Sequence, residues 1–324
     1  MYDNCLISKS SDFPDCMIQQ AQQRPTPDAP HDVTAVIVTY NSAGMIGPCL
    51  AALRGTPCII VDNASDDDTC AIARRLRPDA LVLRNDKNIG YGRAANRGFE
   101  SVATPYAILL NPDTICTVEA LAPMRRAFDL FPDSGIVAPL LLDAAGKPSL
   151  PIMGPRERTH RPAPLPPEAP FCTWFVTAAA WLCAMDAWRK IGGFDPAIFM
   201  YGEDVDLCLR MGASGRAMII VPDARVPHLG GRSSRIDWRV RWRKDWHMTW
   251  GHFYVQGKHG EISQARTEAW RILFRHSLKV LLYVVLLRLP RVLGNLARAH
   301  AALTYLRNGV AQSDIGRLTS EKKK

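Results

Sequence analysis

The sequence predicts an α/β fold: a mainly parallel sheet flanked by helices, followed by a basic, amphipathic helical extension. Three observations predict it. From Val33 onward, short apolar and β-branched runs alternate with helical segments, the order of parallel strands joined by crossover helices. Those runs end in polar clusters rich in Asp and Asn. The charge is also divided. Residues 1–224 hold 20 Lys and Arg against 25 Asp and Glu, and residues 225–324 hold 20 against 6. A mildly acidic body thus carries a strongly basic tail, which points to a polyanionic partner, nucleic acid or anionic membrane.

The elements follow in order. Residues 1–31 are polar and rich in Pro and Gln; they lack the apolar run of a signal peptide and are expected to form a disordered leader. Thr34–Thr39 (TAVIVT) reads as a buried strand, followed by a helix to about Leu53. Cys58–Val61 is a second strand. Asp66–Arg77 reads as a helix with acids in its first turn, which suits the dipole. Ala80–Leu83 is a third strand, and a helix follows from about Arg93. Tyr106–Leu110 is a fourth strand, Glu119–Phe131 a helix and Gly135–Leu142 a further strand.

Residues 143–170, rich in Pro, Gly and charge, read as a surface loop. Phe171–Met185 is apolar without a clear period. Short helices are expected over Asp186–Ile191 and Glu203–Met211, and a strand over Ala217–Val221.

Beyond Gly231, Ile236–Phe253 interleaves Trp with Arg and Lys, and Trp270–Arg307 is apolar and basic. The longest uncharged apolar run, Val280–Leu287, has eight residues, far below the roughly 18–20 needed to span a bilayer. Short apolar faces with basic flanks suit a helix lying on a membrane surface. Trp238, Trp242, Trp246 and Trp250 recur every fourth residue, a spacing that equally suits one helical face packed on the core.

Length and composition bound the answer. With 324 residues, 47% of them apolar and 22% charged, the chain holds one or two domains with a sizeable core and is neither wholly disordered nor collagen-like. The nine cysteines are scattered and none forms a Cys-x-x-Cys pair, so neither a zinc site nor a disulfide framework is indicated. Cys58 and Cys183 lie in apolar runs and read as small buried hydrophobes in a reducing compartment.

In an open α/β sheet, ligands bind at the carboxyl ends of the strands. Asp62 ends an apolar strand; it suits either a ribose or base contact or a turn. Gly90-x-Gly92-x-x-Ala95 imitates a dinucleotide fingerprint but stands too far from its strand. Asp113 follows YAILLNP, held stiffly behind Pro112; it is a hard oxygen donor for Mg²⁺ or Mn²⁺, or a helix-start turn. Glu203, Asp204 and Asp206 follow an aromatic stretch. Asp204 and Asp206 stand about 200° apart on a helix and cannot share one task, and Asp206 can pair with Arg210 at i,i+4. His228 follows the strand MIIV and precedes Gly230-Gly231.

Taken in order, VIVTYN (36–41), VDNASDDDT (61–69), NIGYGRAANRG (88–98), LLNPD (109–113), GGFDPAIFMYGEDVDLCLR (192–210) and VPHLGG (226–231) resemble glycosyltransferase family 2. These are inverting enzymes of the GT-A fold, and the likeness is greatest to rhamnosyltransferase-like bacterial members. The resemblance implies a GT-A domain over 32–231 and a helical extension over 232–324. It implies that Thr39 and Asn41 line the nucleotide pocket and that Asp62 binds base or ribose. It sets Asn63, Asn88, Gly90, Asn96, Asn111 and Glu203 among the substrate-binding residues. Asp113 corresponds to the second acid of the family's Asp-x-Asp metal motif, with Asn111 in place of the first. Asp204 corresponds to the catalytic base, and His228 to a metal or phosphate ligand.

The implied reaction is metal-dependent transfer of a sugar, rhamnose first among candidates, from a dTDP- or UDP-sugar to a polysaccharide or lipid-linked glycan. Mg²⁺ or Mn²⁺ is the implied cofactor, and the implied location is cytoplasmic, peripheral on the inner face of the membrane, with no nucleic acid as partner. Two other classes compete: a non-catalytic nucleic-acid binder using the Trp/Arg tail, and a dinucleotide-dependent oxidoreductase using Gly90 and Gly92.

Overall fold

A computed structural model describes residues 30–149, 168–230 and 238–309. The expected leader (apart from residues 30 and 31), most of the 143–170 loop and Gly231 lie outside these residues.

One eight-stranded mixed sheet organises the chain. Its strands are β1 (Val33–Thr39), β2 (Cys58–Asp62), β3 (Leu81–Arg84), β4 (Tyr106–Leu110), β5 (Ser134–Leu142), β6 (Phe171–Thr173), β7 (Ala180–Ala184) and β8 (Ala217–Pro227). They are ordered β3-β2-β1-β4-β7-β5-β8-β6. β3, β2, β1 and β4 are mutually parallel, and β7 runs antiparallel between β4 and β5. Within the parallel half, β1 and β2 read as unbroken apolar runs because both of their faces are covered: every residue of the two is buried, whereas the edge strand β3 is half-exposed.

The covering helices are α1 (Ile46–Ala52), α2 (Thr69–Leu76), α3 (Tyr91–Glu100), α4 (Val118–Leu130), α5 (Met185–Ile191) and α6 (Glu203–Ala213). The chain winds outward through β1, β2 and β3, then returns to place β4 on the other side of β1. That reversal opens a crevice at the carboxyl ends of β1 and β4, the place where such sheets bind ligands.

Three expectations shift. The helix expected from Asp66 starts at Thr69, because Asp67 accepts hydrogen bonds from the Thr69 amide (3.1 Å) and from the Thr69 hydroxyl. Its acids therefore shape the turn before the helix rather than its first turn. The unpatterned 171–185 segment contains the three-residue β6 and also β7, whose burial on both faces erased any alternation. The last strand runs on to Pro227, with a register shift against β5 between Pro139 and Leu140.

The basic extension forms three long helices: α7 (Trp238–Lys258), α8 (Ile262–Val285) and α9 (Leu289–Asn308). They gather a second apolar cluster from Trp246, Trp250, Phe253, Ala265, Ala269, Ala297, Ala301 and Tyr305, joined by Ile198 of the body. Trp246 and Trp250 are 2% exposed, whereas Trp238 is 58% exposed. The Trp stripe therefore divides: its carboxyl-terminal half is core and its first member faces out. No described helix is long and apolar enough to cross a membrane.

Candidate active site

At the ends of β1 and β2, Thr39 and Asp62 lie in register. The Asp62 carboxylate is fully buried. It accepts the Thr39 hydroxyl at 3.2 Å, the Ser65 hydroxyl at 2.5 Å and the Ser65 amide at 3.0 Å, and lies 3.7 Å from Arg84. Ser65 in turn accepts the Asn41 amide, and the Asn41 side chain accepts the Asp66 amide. Thr39, Asn41 and Asp62 thus fix one loop. The Asp62 carboxylate is held in place by the protein's own donors at the end of β2.

Asn63 works the same way. Its amide donates to Asn88 Oδ1 (2.9 Å) and to the Gly90 carbonyl (3.2 Å), and its oxygen accepts from Asn85 and from the Ile89 amide. This ties the end of β2 to the 85–90 loop. Gly90 begins α3 with φ +91, and a Cβ there would meet the Phe199 carbonyl at 2.4 Å. Gly90 therefore serves the close approach of the 194–199 loop, whose Phe199 carbonyl accepts the Tyr91 amide. Asn96 grips that loop too: its side chain exchanges two hydrogen bonds with the Phe194 backbone, at 2.8 and 2.9 Å.

Asp113 follows β4 and is 6% exposed. His228, at the end of β8, places Nε2 3.5 Å from Asp113 Oδ1. The two are held in place by a bridge between Thr114 and His228 and by a hydrogen bond from the Leu229 amide to the Asp113 carbonyl. The structure thereby joins two residues 115 positions apart in sequence. Among the described residues, no group of three or more His, Cys, Asp or Glu is arranged to hold a metal ion.

Glu203 and Asp204 open α6, where the dipole favours acids. The backbone that delivers them is unusual: Tyr201 and Gly202 both have positive φ, +65 and +102. Asp204 is half-buried. It accepts the Val205 amide at 2.9 Å and also the Ala178 amide. Burial raises its pKa. Glu203 is buried, with one carboxyl oxygen lacking any partner among the protein groups. Burial, and then the charge of Asp204, raise its pKa further.

The Ala178–Ala179 segment connects the two halves of the site. The Asn111 amide and the Thr114 hydroxyl donate to the Ala179 carbonyl at 3.0 and 3.2 Å. On the other side, the Tyr91 hydroxyl donates to the Ala178 carbonyl at 2.8 Å, while the Ala178 amide reaches Asp204. Burial first, and then the charges of Glu203, Asp204 and Asp113, raise the Tyr91 phenol. The Asp113 loop, through Asn111 and Thr114, and Asp204 thus contact one short segment.

Sequence reasoning paired Asp206 with Arg210, and the structure holds that pair through two contacts at 2.7 and 2.9 Å. It missed the other half of the cluster. Lys258, at the end of α7, lies 2.6 Å from Asp195 and 2.7 Å from Asp206, and His259 lies 3.0 Å from Asp206. Burial alone would raise Asp195, but the hydrogen bonds from Lys258, the Ala197 amide and Tyr254 outweigh it and lower its pKa. Higher on α7, Gly251 meets the strained turn: a Cβ there would lie 2.2 Å from the Tyr201 carbonyl. His247 stacks on Phe199 at 5.0 Å and is kept neutral, its pKa pushed down to about 4 by burial and by Arg243. The basic extension therefore packs directly on the segment that carries Glu203 and Asp204. Nothing local in the sequence links Lys258 to Asp206.

Comparison with known proteins places this geometry. Residues 34–150 match the family model for glycosyl transferase family 2. The chain is 29% identical over 243 residues to the N-acetylglucosaminyl-diphospho-decaprenol L-rhamnosyltransferase of Mycobacterium tuberculosis, covering 64% of this chain and 79% of that protein. It is 30% identical over 235 residues to the pre-mycofactocin glycosyltransferase of the same organism, covering 68% of this chain and 47% of that one.

In fold, the chain is similar to a mannosyltransferase of Pyrobaculum calidifontis solved with GDP-Man and Mn²⁺. The TM-score is 0.51 at 16% identity, covering 91% of this chain and 94% of that one. It is also similar to GalNAc-T7 solved with UDP, GalNAc and Mn²⁺, with TM-score 0.51 at 14% identity, covering 74% of this chain and 54% of that one. The sheet is that of the GT-A fold, the protein is a glycosyltransferase, and the chain belongs to glycosyltransferase family 2.

Proposed function

We propose that this enzyme moves a sugar, rhamnose first among candidates, from a dTDP- or UDP-sugar to a hydroxyl of a polysaccharide or lipid-linked glycan, inverting the anomeric centre. The observation that carries the reading is that the loop bearing Asp113, through Asn111 and Thr114, and Asp204 both contact Ala178–Ala179. One face of that segment offers a site for a diphosphate, the other a carboxylate base. The relative named for a diphospho-decaprenol substrate and L-rhamnose supports the choice of donor and acceptor class.

A divalent cation fits the residues present. Asp113 and His228 offer one hard oxygen and one imidazole nitrogen within 3.5 Å of each other. Asp113 and His228 would hold the cation, through a hard oxygen that suits Mg²⁺ and, with the nitrogen, Mn²⁺. When bound, such a cation supplies Lewis-acid stabilisation to the departing diphosphate.

The chain's own residues do the rest. Asp204 accepts the acceptor hydroxyl's proton as that oxygen attacks opposite the leaving group, a role typically worth about 10²–10⁴-fold. Glu203 lies beside it, its pKa raised by burial and then by the Asp204 charge, with one carboxyl oxygen free of protein partners, and is assigned to substrate binding. Environments that push two neighbouring acids apart assign them different roles. Thr39, Asn41, Asp62, Asn63, Asn88 and Asn96 hold the donor pocket's walls, and Asn111 precedes the metal-side acid. The enzyme works on the cytoplasmic face of a membrane, bound peripherally.

Calorimetry with dTDP-, UDP- and GDP-sugars, each with and without Mn²⁺, tests the donor site. Metal-strengthened binding of one nucleotide class is the expected result. Folded protein that binds none of the donors in either condition contradicts the reading.

A further inference from the structure

We propose that the outer end of the helical extension, formed by the α8–α9 turn and the start of α7, docks on an anionic lipid bilayer and lies within its headgroup region. The inference rests on the glycosyl-transfer reading above and names the surface by which that enzyme meets its membrane.

The distribution of side chains on α8 and α9 is inverted relative to a helix that faces water. Their protein-facing positions are mostly small or polar: Ala265, Ala269 and His276 on α8, and Asn295, Ala297 and Ala301 on α9. Between Phe274 and Leu289 most outward positions are large and apolar, with Arg275, Ser277 and Arg288 the exposed polar ones. Phe274, Leu278, Leu281, Val285, Leu287 and Leu289 are all exposed, with Phe274 at 74%, Val285 at 79% and Leu287 at 85%. Scattered exposed leucines need no explanation, but a contiguous apolar surface on one hairpin marks an interaction site.

Charge selects the partner. No Asp or Glu occurs between Glu268 and Asp314, whereas exposed Arg271, Arg275, Arg288 and Arg291 rim the apolar surface. Apolar side chains flanked by basic residues match an interface of acyl chains and anionic headgroups. No described helix is long and apolar enough to cross a bilayer; the apolar end of the hairpin docks at the headgroup region without spanning.

Three contacts orient the whole extension. The Asp245–Arg298 ion pair at 2.7 Å and the Phe253–Tyr305 ring contact at 5.4 Å set α9 parallel to α7. His252 and Glu268, 3.2 Å apart, set α8 antiparallel to α7. The start of α7, the end of α8 and the start of α9 therefore share one end of the layer. The exposed Trp238, with the Arg239 guanidinium 5.2 Å from its ring, sits at that end and adds an interfacial anchor. The opposite end carries Lys258 and grips Asp195 and Asp206. One rigid layer thus joins the lipid-facing surface to the segment bearing Asp204.

Co-sedimentation with vesicles tests the proposal. One set is pure phosphatidylcholine and the other contains about 30% phosphatidylglycerol. The full-length protein is expected to pellet with the anionic vesicles, to be released by salt, and to ignore the neutral ones. A variant carrying Leu278→Glu, Leu281→Glu and Val285→Glu is expected to lose at least about tenfold in vesicle affinity, with unchanged circular dichroism and donor-induced melting shift. A second variant, Arg275→Glu with Arg288→Glu, should lose the salt-sensitive part.

Wild-type protein that fails to pellet with anionic vesicles overturns the proposal. So does a triple variant that still pellets, or a wild-type dimer in light scattering that the triple variant dissolves, since the surface would then belong to a second copy. Donor binding is read in the same samples. Its survival without vesicle binding defeats the docking surface alone, and its absence defeats the functional reading.

Discussion

Lys258 Nζ lies 2.7 Å from Asp206 Oδ1, a carboxylate with no exposed surface two residues beyond Asp204. The same ammonium is 2.6 Å from Asp195. One side chain of the C-terminal layer thus ties the 192–199 loop to α6. Removing Lys258 takes one cation from a cluster whose carboxylates keep other partners, Arg210 and His259 on Asp206 and Tyr254 on Asp195. Lys258→Met is therefore expected to cost about 1–2 kcal/mol in urea unfolding. Adding Asp206→Asn to it should cost less than the two single changes summed, which a double-mutant cycle measures.

Gly251 tests the same coupling through shape rather than charge. Its α-carbon passes so close to the Tyr201 carbonyl that a Cβ would approach to 2.2 Å. Gly251→Ala must shift either α7 or the turn before Glu203. A displacement of about 1 Å at a reacting group can cost around 10²-fold. The expected signature is a fall in kcat of at least tenfold, with the donor dissociation constant little changed.

The raised acids give two pH signatures. Asp204 must be ionised to accept a proton, so transfer is lost as pH falls through its pKa. Because burial raises that pKa, the rising limb of kcat lies above the ordinary carboxylate range near about 4. Glu203 shows up in stability. Its folded-state pKa is raised, so between the unfolded and folded values the native protein binds the extra proton, and stability falls as pH rises through that interval. Glu203→Gln removes the penalty. Its melting temperature should exceed that of the wild type by a few degrees at pH 8, with a smaller gain at pH 5.

Asp113 and His228 should act as one unit. Asp113→Asn is expected to abolish the Mn²⁺-dependent part of donor binding. His228→Ala should weaken it about tenfold or more, as loss of a ligand or its support does. Calorimetry at several Mn²⁺ concentrations separates the two effects. Donor binding unchanged in both variants would remove this pair from the diphosphate site.

The parts of the fold that were legible in the sequence are those where one physical rule dominates. β1, β2 and β4 are buried on both faces, so VTAVIVT, CIIVD and YAILL announce themselves as apolar runs. β7 is as buried, but AWLCA sits inside a longer apolar stretch with no turn residues to frame it. Residue identities marked out Asp113, Asp204 and His228, yet only the sheet's reversal at β1 and β4 brings the Asp113 loop and α6 to one segment. Asp62 and Asn63 stood out as polar strand ends, but their hydrogen bonds to Thr39, Asn85 and Asn88 come from segments distant in sequence and had no local signal. Composition saw a basic tail; it could not see that Lys258 and Arg298 are already paired within the protein.

Asp204 is the proposed proton acceptor for sugar transfer from a nucleotide donor. The most direct test compares wild type with Asp204→Asn, measuring donor binding by calorimetry and transfer to a lipid-linked acceptor on the same preparation. The account predicts equal donor affinity and a loss of transfer of about 10²–10⁴-fold. Transfer that persists in Asp204→Asn at a rate near that of the wild type would contradict it.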